Sequence, residues 1–141
     1  MTVLHRTAAV RTDDGALLHA TIDGDEDAPV TVVLAHGWTL AQAAWDDVAD
    51  LLLPRAGAGE LRLVRYDQRG HGRSTWGEAE VTIDQLGDDL AAVLDQLAPE
   101  GPVVLGGHSM GGMTIMCLAP GRAAVPALVV ADEPEVARRD P

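Results

Sequence analysis

Gly107-His108-Ser109-Met110-Gly111-Gly112 is the stretch that decides how this chain is read. It follows a short apolar run, residues 102–105, and precedes a segment able to form a helix. In that context a G-x-S-x-G pattern is a nucleophile elbow, a sharp strand-to-helix turn that exposes a serine hydroxyl. Glycine suits positions 107 and 111, because a side chain there would crowd the turn and the helix behind it. The elbow points to acyl transfer through Ser109. A serine hydroxyl needs a base to take its proton. The five histidines are His5, His19, His36, His71 and His108, and none follows the serine.

Working outward, residues 30–35 are apolar and β-branched, as a strand buried on both faces should be. They run into His36-Gly37-Trp38. Residues 61–66 read as another strand and lead into the polar loop 67–74. Residues 102–106 form the strand entering the elbow, and 126–131 a last strand closing on Asp132 and Glu133. Near the start, residues 3–10 and 16–22 flank Asp13-Asp14-Gly15, a hairpin signal. Between the strands lie helical patterns. One runs from Gln42 to about Leu53, with Trp45, Val48, Ala49 and Leu52 on its inner stripe and Pro54 as its expected stop. The second carries Ile83, Leu86, Leu90, Val93, Leu94 and Leu97, and opens with Thr82 and Gln85 at capping-box spacing. A third is expected over 110–118, with Met113 and Met116 turned to the core.

A hairpin followed by alternating strands and helices predicts an α/β fold, a mostly parallel sheet with helices on both faces. Ligands in such sheets bind outside the carboxyl ends of the strands. The three polar motifs, beginning at His36, Asp67 and Gly107, all fall at such ends.

The 141 residues are enough for one domain with a core, and 47% are hydrophobic. The net charge of −12 argues against nucleic-acid backbones and anionic membrane surfaces as partners. Cys117 is the single cysteine, which excludes an internal disulfide and fits a cytoplasmic protein. The histidines show no close ligand spacing, so no metal site and no cofactor is expected.

In order and spacing, His36-Gly37-Trp38, the stretch from Tyr66 through Asp67, Gln68, Arg69, Gly70, His71, Gly72 and Arg73 to Ser74, and the elbow resemble the α/β-hydrolase family. The likeness is to its serine branch of esterases and lipases; a serine at 109 in place of an aspartate sets the chain apart from epoxide hydrolases and haloalkane dehalogenases. The resemblance implies a small ester or acyl substrate. It implies Ser109 as nucleophile, with the backbone N–H groups of Met110 and Trp38 as oxyanion donors. His36, Gly37, Trp38 and Met110 would line the substrate, while Arg69 and His71 would brace the loops. Asp132 is the candidate acid, at the end of the last strand.

Family members carry their acid and histidine after the serine, in that order. The 32 residues after Ser109 contain no histidine, so the chain, 1–141, reads as a single hydrolase domain cut short, weak or inactive by itself. Two other readings follow from the same gap. One is a non-catalytic protein that keeps the pocket and binds small carboxylates or esters. The other is a truncated product without function, self-associating through the exposed edge of its last strand.

Overall fold

A computed structural model describes residues 3–118 in full and 127–131 as backbone. The chain begins with an antiparallel hairpin of β1 (His5–Arg11) and β2 (Leu17–Asp23). It continues through β3 (Thr31–Ala35), a 3-10 turn at Gln42–Trp45, α1 (Asp46–Gly57) and β4 (Arg62–Tyr66). Then come α2 (Ile83–Leu97), β5 (Val103–His108), α3 (Met110–Met116) and β6 (Ala127–Ala131). The sheet has six strands in the order β1-β2-β4-β3-β5-β6. β4, β3, β5 and β6 run parallel, and the hairpin joins antiparallel through β2 and β4.

Strand alternation splits the core in two. Val33, Ala35, Val64, Tyr66 and Leu105 face α2 and the start of α3, joined by Leu90, Val93, Leu94 and Ile115. Leu34 and Leu63, one residue out of step, face the opposite side and pack with Ala49, Ala56 and Leu61 around α1. Helices therefore cover both faces, as expected of central strands that are apolar on both sides.

Several local expectations change. Pro54 lies inside α1, not at its end. Proline removes the hydrogen bond to the Asp50 carbonyl, but Asp50 is exposed and water can serve that oxygen. The helix instead ends near Gly59, at φ +77°. Of its expected inner stripe only Ala49 is fully buried, while Val48 is on the surface. At α2 the Thr82 side chain accepts from the Gln85 N–H at 3.1 Å. Gln85 does not return the bond; its amide donates to Asp89 instead, so only half of the capping box forms. α3 is shorter than expected, and Met113 and Met116 are exposed, not core. Asp132 lies outside the described residues.

The architecture places the motifs together. β3 connects through α1 to β4 on one side, and β5 connects through α3 to β6 on the other. β3 and β5 are adjacent, with Ala35 opposite Gly107, so their loops leave in opposite directions and open a crevice between them. That is the switch point of a doubly wound sheet, where such folds bind ligands.

Candidate active site

Ser109 stands between β5 and α3 at φ 51°, ψ −113°. An L-residue with a side chain avoids that region, and holding one there costs on the order of 1–3 kcal/mol. The surroundings enforce it. A Cβ on Gly107 would sit 2.5 Å from the Gly111 carbonyl carbon, and a Cβ on Gly111 would sit 2.0 Å from the Ala35 carbonyl oxygen. Both glycines are therefore needed for close approach, the second because α3 starts directly against the end of β3. The Met110 N–H belongs to the first turn of α3 and has no intrahelical acceptor.

Across the crevice, residues 37–40 form a turn closed by the Leu40 N–H donating to the Gly37 carbonyl at 3.2 Å. Its third residue, Thr39, has φ 65°, the left-handed conformation that a type II turn requires there. The Trp38 N–H donates to no group among the described residues, and the Trp38 side chain is exposed. The His108 ring fills the space beside Gly37, where a Cβ would meet its Nδ1 at 2.8 Å. Its Nε2 is buried and has no hydrogen-bond partner among the described residues.

His36 does not reach a substrate through its side chain, because it is fully buried. Its Nδ1 faces the Gly37 carbonyl at 2.7 Å, and its Nε2 accepts the Gln68 N–H at 2.9 Å. A carbonyl can only accept and an amide can only donate, so His36 is neutral with its proton on Nδ1. Burial, with a smaller push from His71, holds its pKa below the ordinary histidine value, against smaller opposing effects of the Gly37 bond and Asp67.

Gln68 ties the three motifs together, a role the sequence did not signal. Besides its amide bond to His36, its side chain donates to the His36 carbonyl at 2.8 Å and accepts from Thr114 Oγ1 at 3.3 Å. The Thr114 hydroxyl has one proton, shared between Gln68 and the nearer Met110 carbonyl at 2.8 Å. The Asp67 carboxylate accepts from the backbone N–H of Gln42 and of Arg73.

Arg69 is fully buried and braces from below. It donates from Nε and Nη2 to Asp89 on α2, at 2.7 and 2.8 Å, and from Nη1 and Nη2 to Asp14 in the hairpin turn, at 2.7 and 2.8 Å. The guanidinium, then Thr12 and the Ala79 N–H, hold the Asp14 carboxyl well below the usual carboxylate range, against a smaller desolvation effect. Hairpin, loop and helix are thereby stapled at one point. Neighbouring Tyr66 is buried with its hydroxyl unpartnered among the described residues, and burial pushes its pKa far up, helped by the charge of Asp89.

The arrangement is thus a strained, half-buried serine at the switch point, with the N–H of Met110 following it and the N–H of Trp38 in the turn after β3, both unpaired among the described residues. Among the described residues no group of three or more potential ligands is placed to hold a metal, and no helix is long and apolar enough to cross a membrane.

The fold and the order of the motifs define the class as an α/β hydrolase. The chain belongs to the alpha/beta hydrolase family, whose model matches residues 32–141. It is 39% identical over 103 residues to a bifunctional esterase/perhydrolase of Acinetobacter calcoaceticus, covering 73% of this chain and 35% of that protein. It is 32% identical over 134 residues to a non-heme chloroperoxidase of Streptomyces lividans, covering 93% of this chain and 47% of that one. A carboxylesterase structure from Nitrososphaera gargenis superposes with a TM-score of 0.75 at 27% identity, covering 87% of this chain and 44% of that one. The chain thus spans less than half the length of these relatives.

Proposed function

We propose that Ser109 is the nucleophile of an ester-cleaving site. The serine oxygen attacks the substrate carbonyl, and the oxyanion that forms is held by the N–H groups of Trp38 and Met110. The C–O bond to the alcohol then breaks, the alcohol takes a proton, and water releases the acid from Ser109. One observation carries this reading: a non-glycine residue at φ 51°, ψ −113° is held there by backbone contacts, at the switch point of the sheet. Removing one oxyanion donor costs roughly 10²–10³ in rate in enzymes of this kind, so the two N–H groups account for much of the expected acceleration.

The proton acceptor is neither His36 nor the similarly committed His71, and in this reading it comes from outside the described residues, as does the candidate acid Asp132. Substrates are small esters with an apolar side, supported by the exposed Trp38 and Leu40 beside the crevice. A cytoplasmic site of action belongs to the same proposal, supported by the single cysteine.

The test is covalent labelling by a serine-directed phosphonate, with the adduct mapped by mass spectrometry. An adduct on Ser109 formed faster than on a free serine supports the reading, and labelling no faster than free serine refutes it. The commitment of His36 and His71 favours one second reading, a binding protein that keeps the crevice without turnover. It predicts thermal stabilisation by small carboxylates together with no labelling of Ser109.

A further inference from the structure

Thr39 is β-branched and sits at φ 65°, where such residues are rarely found. The turn it belongs to is closed by the 3.2 Å bond from the Leu40 N–H to the Gly37 carbonyl. A second bond, to His71, meets Thr39 itself. The histidine Nε2 lies 3.1 Å from the Thr39 nitrogen, and its Nδ1 lies 2.9 Å from the Arg69 carbonyl oxygen.

Both partners are backbone groups whose roles cannot reverse. Arg69 offers only an acceptor at Nδ1, and Thr39 only a donor at Nε2. The bonds therefore require a neutral imidazole protonated on Nδ1. A proton added to Nε2 would point at the Thr39 N–H, and the bond would be replaced by repulsion between two donors.

We propose that His71 is a positioning residue that latches the oxyanion turn, holding Trp38 N–H in place when neutral and releasing it when protonated. The proposal rests on the reading of Trp38 as an oxyanion donor and adds a pH-dependent control of it. The charged and titratable groups around His71 are few. The neutral His36 ring faces it from the end of β3, with centroids 5.2 Å apart and planes tilted by 58°. Asp67, at the end of β4, is held by N–H groups of Gln42 and Arg73. The Arg69 guanidinium is committed to Asp14 and Asp89, and the Arg73 side chain is exposed. None of these supplies an acceptor that would replace the one lost at Nε2.

The latch is tested without any assay of activity. Nitrogen-15 NMR of the full chain reads the His71 tautomer, and hydrogen exchange reads the Thr39 amide across the His71 titration. The expected results are an Nδ1–H tautomer and Thr39 protection that falls by about tenfold, the size of one hydrogen bond, with the midpoint of His71. His71→Gln places an amide oxygen near the Nε2 position and should keep protection at every pH. His71→Ala should lack it at every pH, with the sheet amides of β3 and β5 showing that the fold is intact. An Nε2–H tautomer, or Thr39 protection that ignores the His71 titration, overturns the proposal. Failure of Ser109 to label, with the latch intact, would instead count against the nucleophile reading alone.

Discussion

Replacing Gly111 with alanine should damage this protein far more than replacing Gly106, five residues earlier. At Gly111 the new methyl would lie 2.0 Å from the Ala35 oxygen, 2.6 Å from its carbon and 2.9 Å from the His36 oxygen. All three are backbone atoms of the central strand and the loop leaving it, so no rotamer change relieves the clash. The start of α3 must instead retreat by more than an ångström. Overpacking of this kind costs about 1–3 kcal/mol, and immovable partners put Gly111→Ala at the top of that range. Alanine's better helix propensity returns up to about 1 kcal/mol, leaving a loss of about 2 kcal/mol or more. At Gly106 the methyl meets only the Leu34 Cδ2, at 2.7 Å, the end of a side chain that can rotate. That change should cost about 1 kcal/mol or less. Guanidinium unfolding followed by circular dichroism measures both, and about 2 kcal/mol corresponds to a fall in Tm of roughly 6–10 °C for a domain of this size. Equal stability of the two variants, or a Gly111→Ala protein as stable as the parent, would refute the packing argument that fixes the elbow.

Three further outcomes follow from the same structure. Ser109→Gly should stabilise the fold by about 1 kcal/mol, since relief of backbone strain exceeds the added entropy of the unfolded chain; thermal melting of the two proteins decides it. Arg69→Met should cost about 3–5 kcal/mol by leaving the buried Asp89 without its cation. In the parent, the depressed pKa of Asp14 contributes stability that is present above about pH 4 and lost as pH falls below it; unfolding curves from pH 2 to 7 should show that loss reduced in Arg69→Met. Tyr66→Phe removes a buried hydroxyl that has no partner among the described residues, so it should be neutral or stabilising. With the folded pKa raised, stability of the parent is present below about pH 10 and lost as pH rises above it, and melting curves of Tyr66→Phe should lack that alkaline loss.

Much of the fold was legible because its signals are local. Apolar β-branched runs at 30–35 and 102–105, each followed by a glycine-bearing polar motif, fixed both the parallel strands and the ends at which the site lies. The need for glycine at 107 was legible for the same reason, since its close contacts are Gly111 and Gly112 within the motif, whereas Gly111 is constrained by Ala35 and His36, which the motif does not contain. Other features depend on partners distant in sequence. Arg69 was read as a brace, but its two carboxylates, Asp14 and Asp89, lie 55 and 20 positions away and carry no motif. Gln68 sits inside a recognised loop, yet its link between His36 and Thr114 exists only once β3, β4 and α3 are assembled. Met113 and Met116 misled because helical spacing shows that residues share a face and not what covers it. Pro54 misled because a helix tolerates proline where the orphaned carbonyl meets water.

The measurement closest to the central claim is the crystal structure of a phosphonate adduct. The account predicts phosphorus bonded to Ser109 Oγ, with the phosphoryl oxygen about 2.7–3.1 Å from both the Trp38 and Met110 nitrogens. An adduct on another residue, or one on Ser109 whose oxygen points away from both N–H groups, would contradict it.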